Sequence, residues 1–175
     1  MFTIKQHRRL NRIAKKNGWV WLIVVIGLIS PWLQSAFNHS QDNCKVNSIY
    51  DGDTLRATCN TEKIKVRFYC IDTPEMQQPP WGKESRDYLR SITPDSVTII
   101  RHDKDRYGRV VAEVIDDQRN LNLQMVKDGY AAVYPRYCKD TAYYQAQEQA
   151  QSARLGIWSK QGLQQTPWLW RRKNK

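Results

Sequence analysis

Lys45-Val46-Asn47-Ser48-Ile49-Tyr50-Asp51-Gly52-Asp53-Thr54-Leu55-Arg56-Ala57-Thr58-Cys59-Asn60 is the stretch that decides the fold. Asp51-Gly52 lies between two runs of β-formers, which is a strong signal for a two-residue hairpin turn. Residues 45–50 and 54–60 therefore read as its arms. With the turn at Asp51-Gly52, facing residues have numbers that sum to 103, which sets Cys44 opposite Cys59. Facing Cα atoms about 4.5–5.5 Å apart fall within disulfide range, although a bulge near the turn would spoil the register. Of the three pairings that four cysteines allow, this one leaves Cys70 to join Cys138. Two disulfides suit an oxidising exterior. A zinc site is not indicated, because there is no C-x-x-C and His7, His39 and His102 do not cluster.

Downstream, Ile64, Val66, Phe68 and Cys70 alternate with Lys65, Arg67 and Tyr69. That is the pattern of a half-buried strand with Arg67 on the face away from the core. Pro74 ends it, and residues 75–82, with Pro79-Pro80, read as a loop. A helix follows over 82–92, then strands over 96–101 and 110–115. A short helix over 120–128 closes at Gly129, and a longer one over 141–155 ends at Gly156, with Trp158 docking its end. This order predicts a small barrel with helices to one side. Residues 161–175 differ in composition, with Trp168-Leu169-Trp170 before a basic cluster. They read as a frayed tail, with binding to lipid headgroups or nucleic acid as the functional alternative.

The formal charge of +11 is a property of the ends. Ten of the 28 basic residues lie in 1–17 and 171–175, which leaves 18 against 17 acids, so the body is nearly neutral. Local arginine placement, not global charge, has to carry any case for an anionic partner. Between Lys16 and Asp42 no residue is charged, residues 19–29 are apolar apart from Gly27, and Trp19, Trp21 and Trp32 flank the run. Indole rings favour the headgroup layer, and a basic N-terminal flank faces the cytoplasm. The segment 18–37 reads as a single membrane anchor, with a cleaved signal peptide as the alternative and a buried core helix as the plainer one. The domain plan is a basic stretch over 1–17, this anchor, a linker over 38–43, a domain over 44–160 and the tail.

Three motifs carry the chemistry, and each has an ordinary explanation when taken singly. Turn chemistry accounts for Asp51-Gly52-Asp53-Thr54 and for Asp72-Thr73-Pro74-Glu75. Arg67 reads as a solvated charge, and Tyr107-Gly108-Arg109, within Asp105-Arg106-Tyr107-Gly108-Arg109, as another hairpin turn. Combined, they say more. Asp53 starts the second strand and Asp72 ends the third, so antiparallel neighbours bring both carboxylates to one barrel end, with Glu75 three residues on. Two such carboxylates repel, and a divalent cation removes the conflict. Two acids, a backbone carbonyl and several waters suit Ca²⁺.

The D-G-D-T, V-R-x-x-x-I-D-T-P-E and D-R-Y-G-R elements occur in order, followed by Asn122 and by Gly156-Ile157-Trp158. Over residues 46–158 the chain resembles the thermonuclease family, the staphylococcal-nuclease-like domains. The resemblance implies an α+β fold, a five-stranded OB-type barrel with three helices, and Ca²⁺-dependent cleavage of DNA and RNA. It implies that Asp53, Asp72 and the Thr73 main-chain oxygen hold calcium, that Glu75 is the general base and that Arg67 and Arg109 bind phosphate. Tyr107, Tyr134 and Tyr137 are its substrate-binding candidates, although Pro135 stands at the direct match to one tyrosine of the family's nucleotide pair. The loop after Glu75 is shorter than in the staphylococcal enzyme and carries Trp81. Together these readings give a monomeric, sugar-nonspecific nuclease on the bacterial inner membrane, its body periplasmic or extracellular, with secretion after signal cleavage as the alternative. The rivals are a noncatalytic OB-fold binding module and an accessory nuclease of DNA uptake or plasmid transfer.

Overall fold

The computed structural model describes residues 41–175. Strands β1 (Gln41–Asp51), β2 (Thr54–Cys59) and β3 (Glu62–Phe68) form an antiparallel meander. Strand β5 (Ser96–Lys104) pairs with the outer edge of β1, and β6 (Val110–Asp116) pairs with β5. A parallel pairing of β3 with β6, Val66 facing Val110, closes a five-stranded barrel. The two residues of β7 (Arg119–Asn120) pair antiparallel with the end of β6, while β4 (Ile71–Asp72) and β8 (Ala132–Val133) form a separate ladder. The helices are α1 (Trp81–Ile92), α2 (Leu121–Lys127), α3 (Thr141–Ser152) and α4 (Pro167–Lys173). This is an OB-type α+β fold with four α-helices among the described residues, where three were expected for the domain; the additional one is α4, formed by the segment read as a frayed tail. Among the described residues no helix is long and apolar enough to cross a membrane. The anchor expected over 18–37 lies outside them.

Alternation along the strands fills the barrel. Leu55, Ala57, Val66, Ile99, Ala112 and Val114 are wholly buried, each separated by one residue from the next inward position of its strand or paired to it across the sheet. The α2 helix is capped by Asn120, whose side chain accepts from the Leu123 N–H, and it ends at Gly129, with φ +77°. Asn122 is completely buried in α2. Its Oδ1 accepts from the Val114 N–H at 3.0 Å, and its Nδ2 donates to the Tyr69 and Ala112 carbonyls at 3.1 and 3.0 Å. One amide thus serves three backbone groups, including the Ala112 carbonyl, which also accepts from the Tyr69 N–H at 2.8 Å.

Two local structures differ from the sequence reading. The hairpin turn is Gly52-Asp53, since Asp51 pairs with Thr54, and β1 carries one extra residue between Val46 and Ser48 and another between Ile49 and Asp51. The later turn and the two bulges cancel, and Cys44 still faces Cys59, joined by a disulfide with Cα atoms 4.2 Å apart. The strand predicted through Cys70 stops at Phe68. Cys70 has φ +67°, and the chain bends there to begin β4. A second disulfide, to Cys138 with Cα atoms 4.4 Å apart, holds that bend. β1 itself begins at Gln41, inside the stretch read as a linker, because residues 41–43 pair with β5.

Candidate active site

Gly52 decides how close the β1–β2 turn comes to the rest of the site. A Cβ there would lie 2.8 Å from Ser85 Cβ and 2.9 Å from Thr73 Cγ2, so a larger residue would hold the turn away from α1 and from the loop after β4. At this distance Asp53 Oδ2 accepts from the Thr73 N–H at 2.9 Å and from Thr73 Oγ1 at 3.1 Å. Asp72 stands beside it at the end of β4. Arg67, projecting from β3, joins the two: Nη1 is 2.9 Å from Asp53 Oδ2 and Nη2 is 2.8 Å from Asp72 Oδ1. Asp53 thus sits in the turn and not at a strand start, and Asp72 on β4 and not at the end of β3.

A compact loop aims Glu75. Its N–H donates to Gln78 Oε1 at 2.9 Å, and the Gln78 N–H donates back to the Glu75 carbonyl at 2.8 Å. Gln78 is buried, and its carbonyl accepts from the Gly82 N–H in the first turn of α1. A Cβ on Gly82 would fall 2.0 Å from the Glu75 carbonyl oxygen, which makes this the second position where only glycine fits.

The residue that sequence reasoning missed is Arg171. It reaches in from α4, with Nη2 2.7 Å from Asp72 Oδ2 and Nη1 2.7 Å from Glu75 Oε1 and 3.2 Å from Asp72 Oδ1. On the same face, three residues earlier, Trp168 stacks on Tyr134, with ring centroids 5.4 Å apart and planes 15° apart. The sequence did contain a signal, a tryptophan and an arginine at helical spacing one turn apart after a proline suited to a helix start.

Charge accounts for how these groups coexist. Burial, reinforced by the Asp53 charge, pushes the Asp51 carboxyl up to about 7. Burial likewise pushes Asp72 up to about 6, against the pull of Arg67 and Arg171. The Arg171 guanidinium is held above its ordinary value by Asp72 and Glu75, although burial opposes this. Three carboxylates, Asp53, Asp72 and Glu75, pair with two guanidinium groups, Arg67 and Arg171, while Asp51 accepts from the Asp53 N–H beside them. Among the described residues no three acidic, histidine or cysteine side chains gather as a ready ligand set. Two hard carboxylates with the adjoining Thr73 carbonyl still fit Ca²⁺, which takes further oxygens from water.

The remaining candidates lie outside the acid cluster. Arg109 precedes β6, beside the β3–β6 seam, and its Nε is 2.7 Å from Asp105 Oδ2. Burial would raise Asp105, but hydrogen bonds from the Arg109 side chain and from the Arg109 and Tyr107 N–H groups leave it below its ordinary value. Tyr107 is 68 % exposed, with the Arg106 and Arg109 guanidinium groups over its ring. Among the described residues neither Tyr107 nor Arg109 touches the acid cluster. Tyr134 follows β8, donates its N–H to the Cys70 carbonyl at 2.8 Å and lies edge-on to the exposed Tyr137. The Cys70–Cys138 disulfide therefore ties the tyrosine loop to the strand that carries Asp72.

Residues 65–160 match the family described as staphylococcal nuclease homologue. The chain belongs to the staphylococcal nuclease family. A Haemophilus influenzae protein named uncharacterized endonuclease is 41% identical over 145 residues, spanning 81% of this chain and 79% of its own. A micrococcal nuclease of Shigella flexneri is 35% identical over 143 residues, 75% of this chain and 81% of its own. Endonuclease YncB of Bacillus subtilis is 30% identical over 133 residues, 69% of this chain and 63% of its own. The family match begins at residue 65, beyond the turn that supplies Asp53, whereas α4 follows its last matched residue. The α4 helix, like the Asp53 turn, therefore lies outside the residues that the family match covers.

Proposed function

We propose that this protein is a Ca²⁺-dependent phosphodiesterase that cleaves DNA and RNA without regard to sugar or base. The observation that carries the reading is the convergence of Asp53, Asp72 and Glu75 with Arg67 at one barrel end. Asp53, Asp72 and the Thr73 carbonyl would hold the ion, which when bound supplies positive charge to a non-bridging phosphate oxygen. Glu75, fixed through its backbone by Gln78, accepts the proton of the attacking water. Arg67 and Arg109 supply donors for the charge that develops on the phosphoryl oxygens. Recognition of backbone and ion, with no base edges read, supports sequence-nonspecific cutting. The basic flank and apolar run of residues 1–37 support a single anchor that leaves the body outside the cytoplasm.

The test is digestion of plasmid DNA and of RNA by the full chain, with Ca²⁺ or with excess EGTA. Cleavage only with Ca²⁺, strongly depressed in Asp72→Asn, is the expected result. Full activity in EGTA would overturn the metal assignment, and tight binding without cleavage would favour the noncatalytic OB-fold module. For the anchor, a reporter fused after Lys175 should be active only in a periplasmic format. Recovery of the protein from the soluble periplasmic fraction would favour signal cleavage.

A further inference from the structure

We infer that α4 is a fixed wall of the active site and that Arg171 is a positioning residue, holding Glu75 and Asp72 in their working orientation. The inference rests on the phosphodiesterase reading above and adds a residue outside the matched family region. Three observations carry it. First, Arg171 spans the two acids: one nitrogen bridges Asp72 Oδ1 and Glu75 Oε1 while the other holds Asp72 Oδ2. The planar fork of a guanidinium holds two carboxylates in one fixed geometry, which the rotatable ammonium of a lysine does not reproduce. Second, the contacts hold both oxygens of Asp72 but only one oxygen of Glu75. Among the described residues, Glu75 Oε2 accepts no hydrogen bond and Asp53 makes none with Arg171, so one oxygen of Glu75 stays open to water.

Third, the helix is nailed down. Gln164, only 6 % exposed, donates to the Ile157 carbonyl at 3.2 Å and the Lys160 carbonyl at 2.6 Å. Pro167 is buried at the start of α4, and Trp168 stacks on Tyr134, which the Cys70–Cys138 disulfide ties to the acid loop. A removable plug that keeps the ion out would also set a guanidinium on these acids. A plug, however, must leave, and the anchoring by a buried glutamine, a buried proline and a ring stack favours a permanent part.

The experiment compares full-length wild type, Arg171→Ala, Arg171→Lys and a chain ending after Gly162. It measures steady-state cleavage of a short DNA across substrate concentrations and, separately, Tb³⁺ binding displaced by Ca²⁺. Outer partners of metal-site ligands typically contribute about 10–100-fold. Arg171→Ala should therefore lower kcat by about 10–100-fold with KM within about threefold, and Arg171→Lys should recover only part of the loss. Ca²⁺ should bind the Ala variant no more weakly than wild type, since a neighbouring cation has been removed. The chain ending after Gly162 should be as impaired as Arg171→Ala or more so. Wild-type turnover in Arg171→Ala would overturn the positioning role and leave the nuclease reading intact. Faster turnover and tighter Ca²⁺ in both Arg171→Ala and the shortened chain would replace it with the plug. Recovery of full kcat at saturating Ca²⁺ would reduce Arg171 to a metal-site support and overturn the inference. No cleavage by wild type would overturn the nuclease reading and this inference together.

Discussion

Arg67 and Arg109 are two arginines with one assigned task, and they stand in different surroundings. The β3–β6 pairing makes their strands neighbours, yet Arg67 is enclosed, its side chain 13 % exposed and shared between two acids, while Arg109 is 24 % exposed and held by Asp105 of its own turn. The enclosed arginine is part of the charge balance that allows Asp53 and Asp72 to sit together. The other is presented at the rim beside Tyr107. Under the proposed function, a phosphate would meet one arginine already committed to the fold and one held only by a half-buried pair within its own turn.

The largest effect should come from Arg67→Ala, which leaves buried acids without their bridging cation. Removing one member of a buried pair costs about 3–5 kcal/mol, to be read by urea denaturation in EGTA. Turnover should also fall, by about 10²–10³-fold. Arg109→Ala should lose turnover to a similar degree but less stability, by about 1 kcal/mol, since its pair is only half-buried and lies within one turn. Equal stability losses in the two variants would erase the contrast between them.

A smaller effect separates the regions by the sign of their pH response in metal-free protein. The folded-state pKa of Asp51, about 7, stands above its ordinary 3.8, so its charge is disfavoured in the fold and stability falls as pH rises through that window. Asp51→Asn should therefore gain on wild type in thermal stability between about pH 4 and 7. Asp105 is lowered, so its contribution is present above 3.8 and lost as pH falls below it. Asp105→Asn should be less stable than wild type at neutral pH by under about 1 kcal/mol, and the difference should shrink as pH falls below 3.8. The same sign for both variants would show that one of the two environments is misread.

Some of this was legible in the sequence. Alternation located the barrel strands, because burying one face of a sheet imposes period two on the residues. The Cys44–Cys59 pairing was reached through a turn placed too early and two bulges left uncounted, deviations that cancel. The bend at Cys70 was not legible. Nothing in the identity of a cysteine announces a positive φ, and a disulfide to a residue 68 positions away holds it. Asp51 read as a turn residue because its burial depends on contacts the local pattern does not encode. Arg171 was missed for the same reason: Trp168-Leu169-Trp170-Arg171 has meaning only once Tyr134, Asp72 and Glu75 are on the facing surface.

The two extra residues of β1 bear on which lengths of this chain nature can sample. Each bulge adds a residue to β1 that has no counterpart across the ladder. Loss of Asn47 or Tyr50 would straighten the strand and leave every other pair, Cys44 with Cys59 included, in place. A residue lost from within β2 would instead turn its remaining side chains to the opposite face. The hairpin therefore has a strand that tolerates a gap and a strand that does not. Related chains of differing length should place their insertions and deletions on the first.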